Sequence, residues 1–240
     1  MKQRLDQKLV ELKLVPTRSQ AESYIKLGDV TVNGKVETKP GTLVREDDKV
    51  ALTAKEQYVS RAALKLASVA EILHVNFQNK TILDVGSSTG GFTDYALRHG
   101  AVKSIAVEVG TNQLHPSLHG DPRIELHEQT DIRDFITQET IDIVVADVSF
   151  ISLREILPHV AELANKDTQI VAMVKPQFEA ATSSLKHKGV IKNDKMRRDI
   201  LKDFETWASK LFRIIDKADS QVSGSKGNVE RFYLLKILQR

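Results

Sequence analysis

The chain has 240 residues, a formal net charge of +3, 41% hydrophobic and 28% charged residues, and no cysteine. That length allows a real core in one or two domains, and the missing cysteines exclude disulfides, thiol nucleophiles and thiolate metal sites. No apolar run reaches bilayer length, no signal-peptide pattern follows Met1-Lys2-Gln3-Arg4, and the seven histidines lack metal-ligand spacing, so a cytoplasmic protein with no metal and no membrane partner is expected.

In chain order, Leu5, Leu9 and Leu12 recur at helical spacing and predict a short helix over 3–13, closed before Pro16. Thr17 followed by Gln20 is a capping box for a second helix carrying Ala21, Tyr24, Ile25 and Leu27, which Gly28 should end. Asn33-Gly34 between two valine-rich runs predicts a type I′ hairpin, because both central residues of that turn need positive φ. Pro40-Gly41 and Asp47-Asp48 read as turns, residues 49–52 as a closing strand, and the polar segment 53–57 as a boundary between domains at 1–55 and 56–240. Beyond it, Ser60 can cap a helix, and from Lys80 strands and helices alternate. Strands are predicted at 81–85, 104–108, 141–146, 169–174, 212–217 and 232–238, and helices at 92–98, 153–164 and 194–211. This α/β alternation predicts a doubly wound, mostly parallel sheet with its ligand at the carboxyl ends of the strands. Residues 180–193 show little periodicity and read as a loop.

Charge is unevenly spread. Residues 1–65 hold thirteen Lys and Arg against nine Asp and Glu, a balance of +4, whereas the remainder holds 22 against 23. A solvated surface explains this as readily as a polyanion partner when charge is considered alone. The order of elements adds to it: Arg4-Leu5-Asp6, Thr17-Arg18-Ser19-Gln20-Ala21 and Ile25-x-x-Gly28-x-Val30-x-Val32-Asn33-Gly34 resemble an S4-like RNA-binding domain, a small α+β unit. The resemblance implies an RNA face on the capped helix and hairpin, with Arg4, Arg18, Lys26, Lys35 and Lys39 against phosphate.

The turn after the 81–85 strand reads Asp84-Val85-Gly86-Ser87-Ser88-Thr89-Gly90-Gly91-Phe92. A glycine there lets backbone approach a ligand, and the following helix offers free N–H groups. Asp84 stands where the dinucleotide fingerprint has its first glycine, so the pattern Asp-x-Gly-x-x-x-Gly favours S-adenosylmethionine over a pyrophosphate. The candidate cofactor residues are Asp84, Gly86, Ser88, Thr89, Gly90, Gly91, Phe92, Glu108 (for ribose hydroxyls), Asp131 and Asp147. Asp131 reads equally as an adenine contact or a local cap.

Tyr58-Val59-Ser60-Arg61-x-x-x-Lys65, the Asp84 turn, Asp147-Val148-Ser149-Phe150, Lys175-Pro176-Gln177-Phe178-Glu179, Lys188-Gly189-Val190 and Gly227-Asn228-x-Glu230 together resemble the TlyA, or hemolysin A, family. Its catalytic half is similar to the FtsJ-type ribose 2′-O-methyltransferases. The resemblance implies a methyltransferase acting on ribosomal RNA, with Lys65, Asp147, Lys175 and Glu230 around the target hydroxyl. Lys175 is the expected general base, provided burial and the nearby Lys65 favour its neutral form; Asp147 orients it, and Glu230 completes the ion-pair network. The chain departs from the family in the run Glu108 to Leu114, where Asp-Val-Gly-Tyr-Gly-Gln-Leu is common, at Asp131 and at His115-Pro116, which implies a differently shaped adenosine pocket. A non-catalytic RNA-binding or ribosome assembly factor is the alternative, separable by its weak cofactor binding. A membrane-lytic protein would need an amphipathic or pore-forming segment that the sequence does not show.

Overall fold

A computed structural model describes residues 2–54, 57–180, 189–222, 224 and 227–238. Lys188 and most of the non-periodic 180–193 segment therefore lie outside the described residues.

The N-terminal unit is built around the predicted capped helix. Helix α1 (Leu5–Glu11) follows strand β1 (Lys2–Arg4), and in α2 (Arg18–Leu27) the Thr17 hydroxyl accepts the Gln20 N–H at 3.2 Å. Gly28 ends α2 in the left-handed region at φ 82°. Strands β2 (Val30–Val32) and β3 (Lys35–Val36) form the hairpin, with Asn33 and Gly34 at φ 52° and 77° as a type I′ turn requires. The first helix is shorter than its leucine spacing predicts, because residues 2–4 pair instead with β4 (Leu43–Arg45), a strand with no clear sequence signal. Strand β5 (Val50–Leu52) closes a three-stranded sheet against β2.

Beneath α1 lies a buried carboxylate. Asp6 is fully buried, with Arg4 Nη2 at 2.9 Å and Arg18 Nη2 at 2.8 Å from the same oxygen. Burial alone would raise this carboxyl, yet the hydrogen bonds from Arg4 and Arg18 hold it below its ordinary value. The pair therefore stabilises the unit at neutral pH, and that contribution is lost as pH falls through the depressed value. Arg18→Ala is expected to cost about 1.5–3 kcal/mol, the worth of a hydrogen bond to a charged group. Urea unfolding at pH 7 measures this, and the deficit should shrink at acid pH, where Asp6 is protonated.

The larger unit contains α3 (Arg61–Ala70), β6 (Thr81–Val85), α4 (Gly91–Arg98), β7 (Lys103–Val107), β8 (Ile124–His127), β9 (Ile143–Ala146), α5 (Leu153–Leu163), β10 (Gln169–Val174), α6 (Pro176–Glu179), α7 (Asp194–Ala208), β11 (Phe212–Asp219) and β12 (Arg231–Ile237). Its seven strands are ordered β11-β12-β10-β9-β6-β7-β8; β12 runs antiparallel to both neighbours, and the pairs from β10 to β8 are parallel. Alternation along β10 shows why three layers form. Ile170, Ala172 and Val174 face α5 and α7, while Val171 and Met173 face α3 and α4. Each large aliphatic side chain buried this way contributes about 1.5–3 kcal/mol. The half-buried edge strand β8 was not predicted, since only Ile124 and Leu126 of its four residues are apolar.

Ser60 stands at the N-cap of α3 but makes no capping hydrogen bond, contrary to expectation. Its hydroxyl is packed against α4 instead, where a Cβ added to Gly91 would lie 2.2 Å from it. The two units share a core, because Leu64 of α3 and Val222 pack with Leu5, Leu9, Ile25 and Val30. The Tyr58 N–H links them by donating to Tyr24 Oη at 3.3 Å, and the adjoining Val59 N–H donates to Asp94 Oδ2 of α4 at 2.9 Å. Among the described residues, no helix is long and apolar enough to cross a membrane.

Candidate active site

Strand order reverses between β6 and β9, so the loops leaving their carboxyl ends diverge and open a crevice. A cleft of about 450 Å³ lies there, lined by Gly86, Ser88, Glu108, Asp131 and Asp147 among others. A smaller hollow of about 130 Å³ adjoins it through Gly86, Ser88, Asp147 and Ser149, and brings in Asp84, Thr89, Phe92 and Lys175. Gly86 has φ 78°, and an added Cβ would sit 2.9 Å from the Asp147 carbonyl oxygen, so backbone from both strand ends meets there without side-chain interference. Gly90 and Gly91 line neither hollow. Gly90, at φ 81°, starts α4, and both glycines serve close packing.

Asp84 has two unlike oxygens. Oδ2 accepts the Thr93 N–H at 3.0 Å and the Thr93 hydroxyl at 2.7 Å, fixing the start of α4, while Oδ1 is buried with no partner among the described residues. Burial raises this carboxyl to about 7, with Thr93 pulling down and the Asp147 and Glu108 charges pushing further up. A buried orphan oxygen at the mouth of a hollow fits a ligand carrying a cationic amine. Across the cleft, Glu108 accepts the Ser88 N–H at 2.9 Å and the Gly110 N–H at 2.8 Å. Gln113, which sequence reasoning passed over, lies beside it and accepts the Ser88 hydroxyl at 3.0 Å. Asp131 is a local cap: its carboxylate accepts the Arg133 N–H and pairs with the Arg133 guanidinium, which holds it down at about 2 while it still lines the cleft.

Two ion pairs stand at this edge. Lys175 Nζ is 2.6 Å from Asp147 Oδ1 and donates to Ser149 Oγ at 2.7 Å. Lys65 Nζ is 3.2 Å from Glu230 Oε1, with both side chains buried, and Glu230 Oε2 has no partner among the described residues. Val174 pairs with Arg231 in the β10–β12 ladder, so the next position in register sets Lys175 opposite Glu230. Asp147, Lys175 and Glu230 therefore stand at neighbouring strand ends, and Lys65 reaches Glu230 from α3, 165 positions earlier in the chain.

Phe150 was quoted only as part of a motif, yet it is 91% exposed and sits at φ 68°, a rare conformation for a bulky residue. Its ring lies 5.4 Å from that of Phe178, over which Lys175 Nζ stands at 5.9 Å. Of the candidate phosphate contacts, Arg4 and Arg18 are engaged with Asp6, whereas Lys26, Lys35 and Lys39 are exposed and make no ion pair with a described residue.

The chain is similar to known proteins along its length. The FtsJ-like methyltransferase pattern matches residues 58–237 and the S4 domain pattern residues 3–50. The 23S rRNA (cytidine-2′-O)-methyltransferase TlyA of Campylobacter jejuni is 43% identical over 180 residues, covering 74% of this chain and 70% of the relative. The 16S/23S rRNA (cytidine-2′-O)-methyltransferase TlyA of Mycobacterium tuberculosis is 37% identical over 97% of this chain and 89% of its own length. A solved structure from Streptococcus thermophilus, described as a hemolysin, superposes with a TM-score of 0.72 at 33% identity, covering 99% of this chain and 89% of that one. This protein belongs to the TlyA/hemolysin A family, in which an S4 domain precedes an FtsJ-like, S-adenosylmethionine-dependent methyltransferase domain.

Proposed function

We propose that the protein methylates a ribose 2′-hydroxyl of ribosomal RNA in the cytoplasm, with a division between an RNA-docking unit at 1–55 and a catalytic unit at 56–240. The observation that carries this reading is the Lys175–Asp147 pair beside Lys65–Glu230 at the edge of the cofactor crevice. The printed activities of the Campylobacter and Mycobacterium relatives support the substrate class.

The residues present fit the cofactor. Asp84 Oδ1 suits its amino group, Glu108 its ribose hydroxyls, and the cleft wall at Asp131 and Ile132 its adenine. When bound, S-adenosylmethionine supplies an electrophilic methyl group on a sulfonium. A ribose hydroxyl attacks it poorly unless its proton is taken. Lys175 Nζ, held 2.6 Å from Asp147 Oδ1 and donating to Ser149 Oγ at 2.7 Å, is the amine placed at the hollow to take that proton. Glu230 Oε2, buried and without a partner among the described residues, offers an acceptor for a ribose hydroxyl. Lys26, Lys35 and Lys39 supply positive charge for the RNA backbone.

Exposed Phe150 and half-buried Phe178 stand beside this lysine as an aromatic step suited to stacking on the base of the target nucleotide. Base–aromatic stacking is worth about 1–3 kcal/mol, so Phe150→Ala should lower kcat/KM for RNA by roughly 5- to 150-fold. Steady-state kinetics with varied RNA measures it, and unchanged kcat/KM removes Phe150 from the substrate site. Nucleoside mapping of ribosomal RNA from cells with and without the protein tests the function as a whole, by a 2′-O-methyl group present only in the former.

A further inference from the structure

Glu179 is buried at 1% exposure, although nothing in the proposed chemistry uses it. Its Oε2 accepts the Ser152 hydroxyl at 2.6 Å, its Oε1 accepts the Leu153 N–H at 2.8 Å, and Arg154 Nε lies 3.4 Å away. The carboxylate thus closes the N-terminus of α5, where exposed N–H groups and the helix dipole favour negative charge.

What this closure joins is the informative part. The Ser152-Leu153 start of α5 is the far end of the loop that begins at Asp147 and carries Ser149 and Phe150. Glu179 is the last residue of α6, a single turn in which the Phe178 and Glu179 N–H groups both return to the Lys175 carbonyl, at 2.9 and 3.2 Å. Pro176 at the first helical position presets that turn. One side chain therefore spans the two loops bearing the base and its orienting carboxylate, and both phenylalanines lie within the same closed circuit. Arg154 extends the tie to α7 through Asp203 at 2.8 Å and Trp207 at 5.7 Å.

We infer that Glu179 is a positioning residue for methyl transfer, holding the β9 and β10 loops at the spacing that keeps Lys175 against Asp147 and Ser149 and Phe150 against Phe178. The inference rests on Lys175 being the base. A carboxylate spent only on fold stability would affect cofactor and RNA binding as much as turnover, whereas a tie between the reacting groups acts on turnover.

The test uses the full-length chain and ribosomal RNA, with calorimetric S-adenosylmethionine titration beside kinetics, for Glu179→Ala, Glu179→Gln, Ser152→Ala and the Glu179→Ala/Ser152→Ala double variant. Misplacing reacting groups by an ångström costs on the order of 10²-fold, so Glu179→Ala should lower kcat by at least about 30-fold, with cofactor Kd and RNA KM within about threefold. Glu179→Gln should stay within about fivefold of wild-type kcat, because its amide oxygen can accept the Leu153 N–H while its amide nitrogen donates to Ser152 Oγ. Ser152→Ala should lower kcat several-fold, and the double variant should be no slower than Glu179→Ala, as expected for residues acting through one contact. If Glu179→Ala does not fold, the Gln and Ser152 variants decide by the same criteria. Wild-type kcat in Glu179→Ala or Ser152→Ala, or equal losses in kcat and cofactor affinity, overturns the inference. A wild-type protein that binds cofactor but transfers no methyl group to RNA overturns the proposed function instead, and the inference with it.

Discussion

Lys175→Ala is expected to reduce methyl transfer by about 10²-fold or more while leaving S-adenosylmethionine affinity within a few fold, the typical loss for a general acid–base group. The split follows from where the side chain points. Its Nζ lies 2.6 Å from Asp147 Oδ1 and 2.7 Å from Ser149 Oγ, on the side of the smaller hollow, and Lys175 does not line the 450 Å³ cleft proposed for the nucleoside. Removing it also leaves Asp147, whose partner it is, free to rotate, so Lys175→Arg is the better control: it keeps a cation for Asp147 but cannot accept a proton. Both variants should be inactive in single-turnover assays if the base is Lys175. Full activity in either would move the proton acceptor elsewhere.

The second large effect concerns Asp84. Its carboxyl is raised to about 7, so near neutrality the free protein holds a mixture of protonated and ionised forms. A cofactor amino cation at the unpartnered Oδ1 selects the ionised form and should expel a proton on binding. Affinity for S-adenosylmethionine should therefore rise with pH up to about 7, by at most tenfold per unit, and level off above it. Folding stability runs the other way. Burial favours the protonated acid in the native state, so the Asp84 contribution is full below its ordinary value and declines as pH rises toward 7. Asp84→Asn keeps an acceptor for Thr93 but removes the charge, and should weaken cofactor binding by roughly 10- to 150-fold, the range for a hydrogen bond to a charged group. Calorimetry in buffers of different ionisation enthalpy counts the released proton. Wild-type affinity in Asp84→Asn, or no proton release, places the amino group elsewhere.

Local chemistry made much of this protein legible without coordinates. The Thr17 cap, the Gly28 stop and the Asn33-Gly34 turn each depend on two to four adjacent residues, and all three formed as expected. Strands β6 and β10 kept their predicted limits, because runs of buried aliphatic residues between polar ends leave little freedom. Motif spacing also put Asp84, the penultimate residue of β6, and Glu108, directly after β7, at the same edge of the sheet.

Tertiary structure decided what depends on pairing across the chain. Strand β1 exists because β4 is beside it, and β8 because β7 offers an edge, so neither has enough local pattern of its own. Arg18 looked free for phosphate, but a carboxylate twelve residues earlier is buried within its reach. Phe150 shows its exposure and left-handed backbone only once the β9 loop is folded, and Glu179 shows its use only when α6 lies against α5. Sequence fixes periodicity, caps and turns because these are settled by neighbours within one or two turns of chain. The partner of a buried charge is chosen by packing, where leaving it unpaired costs several kcal/mol and the nearest compensating group can lie anywhere in the sequence.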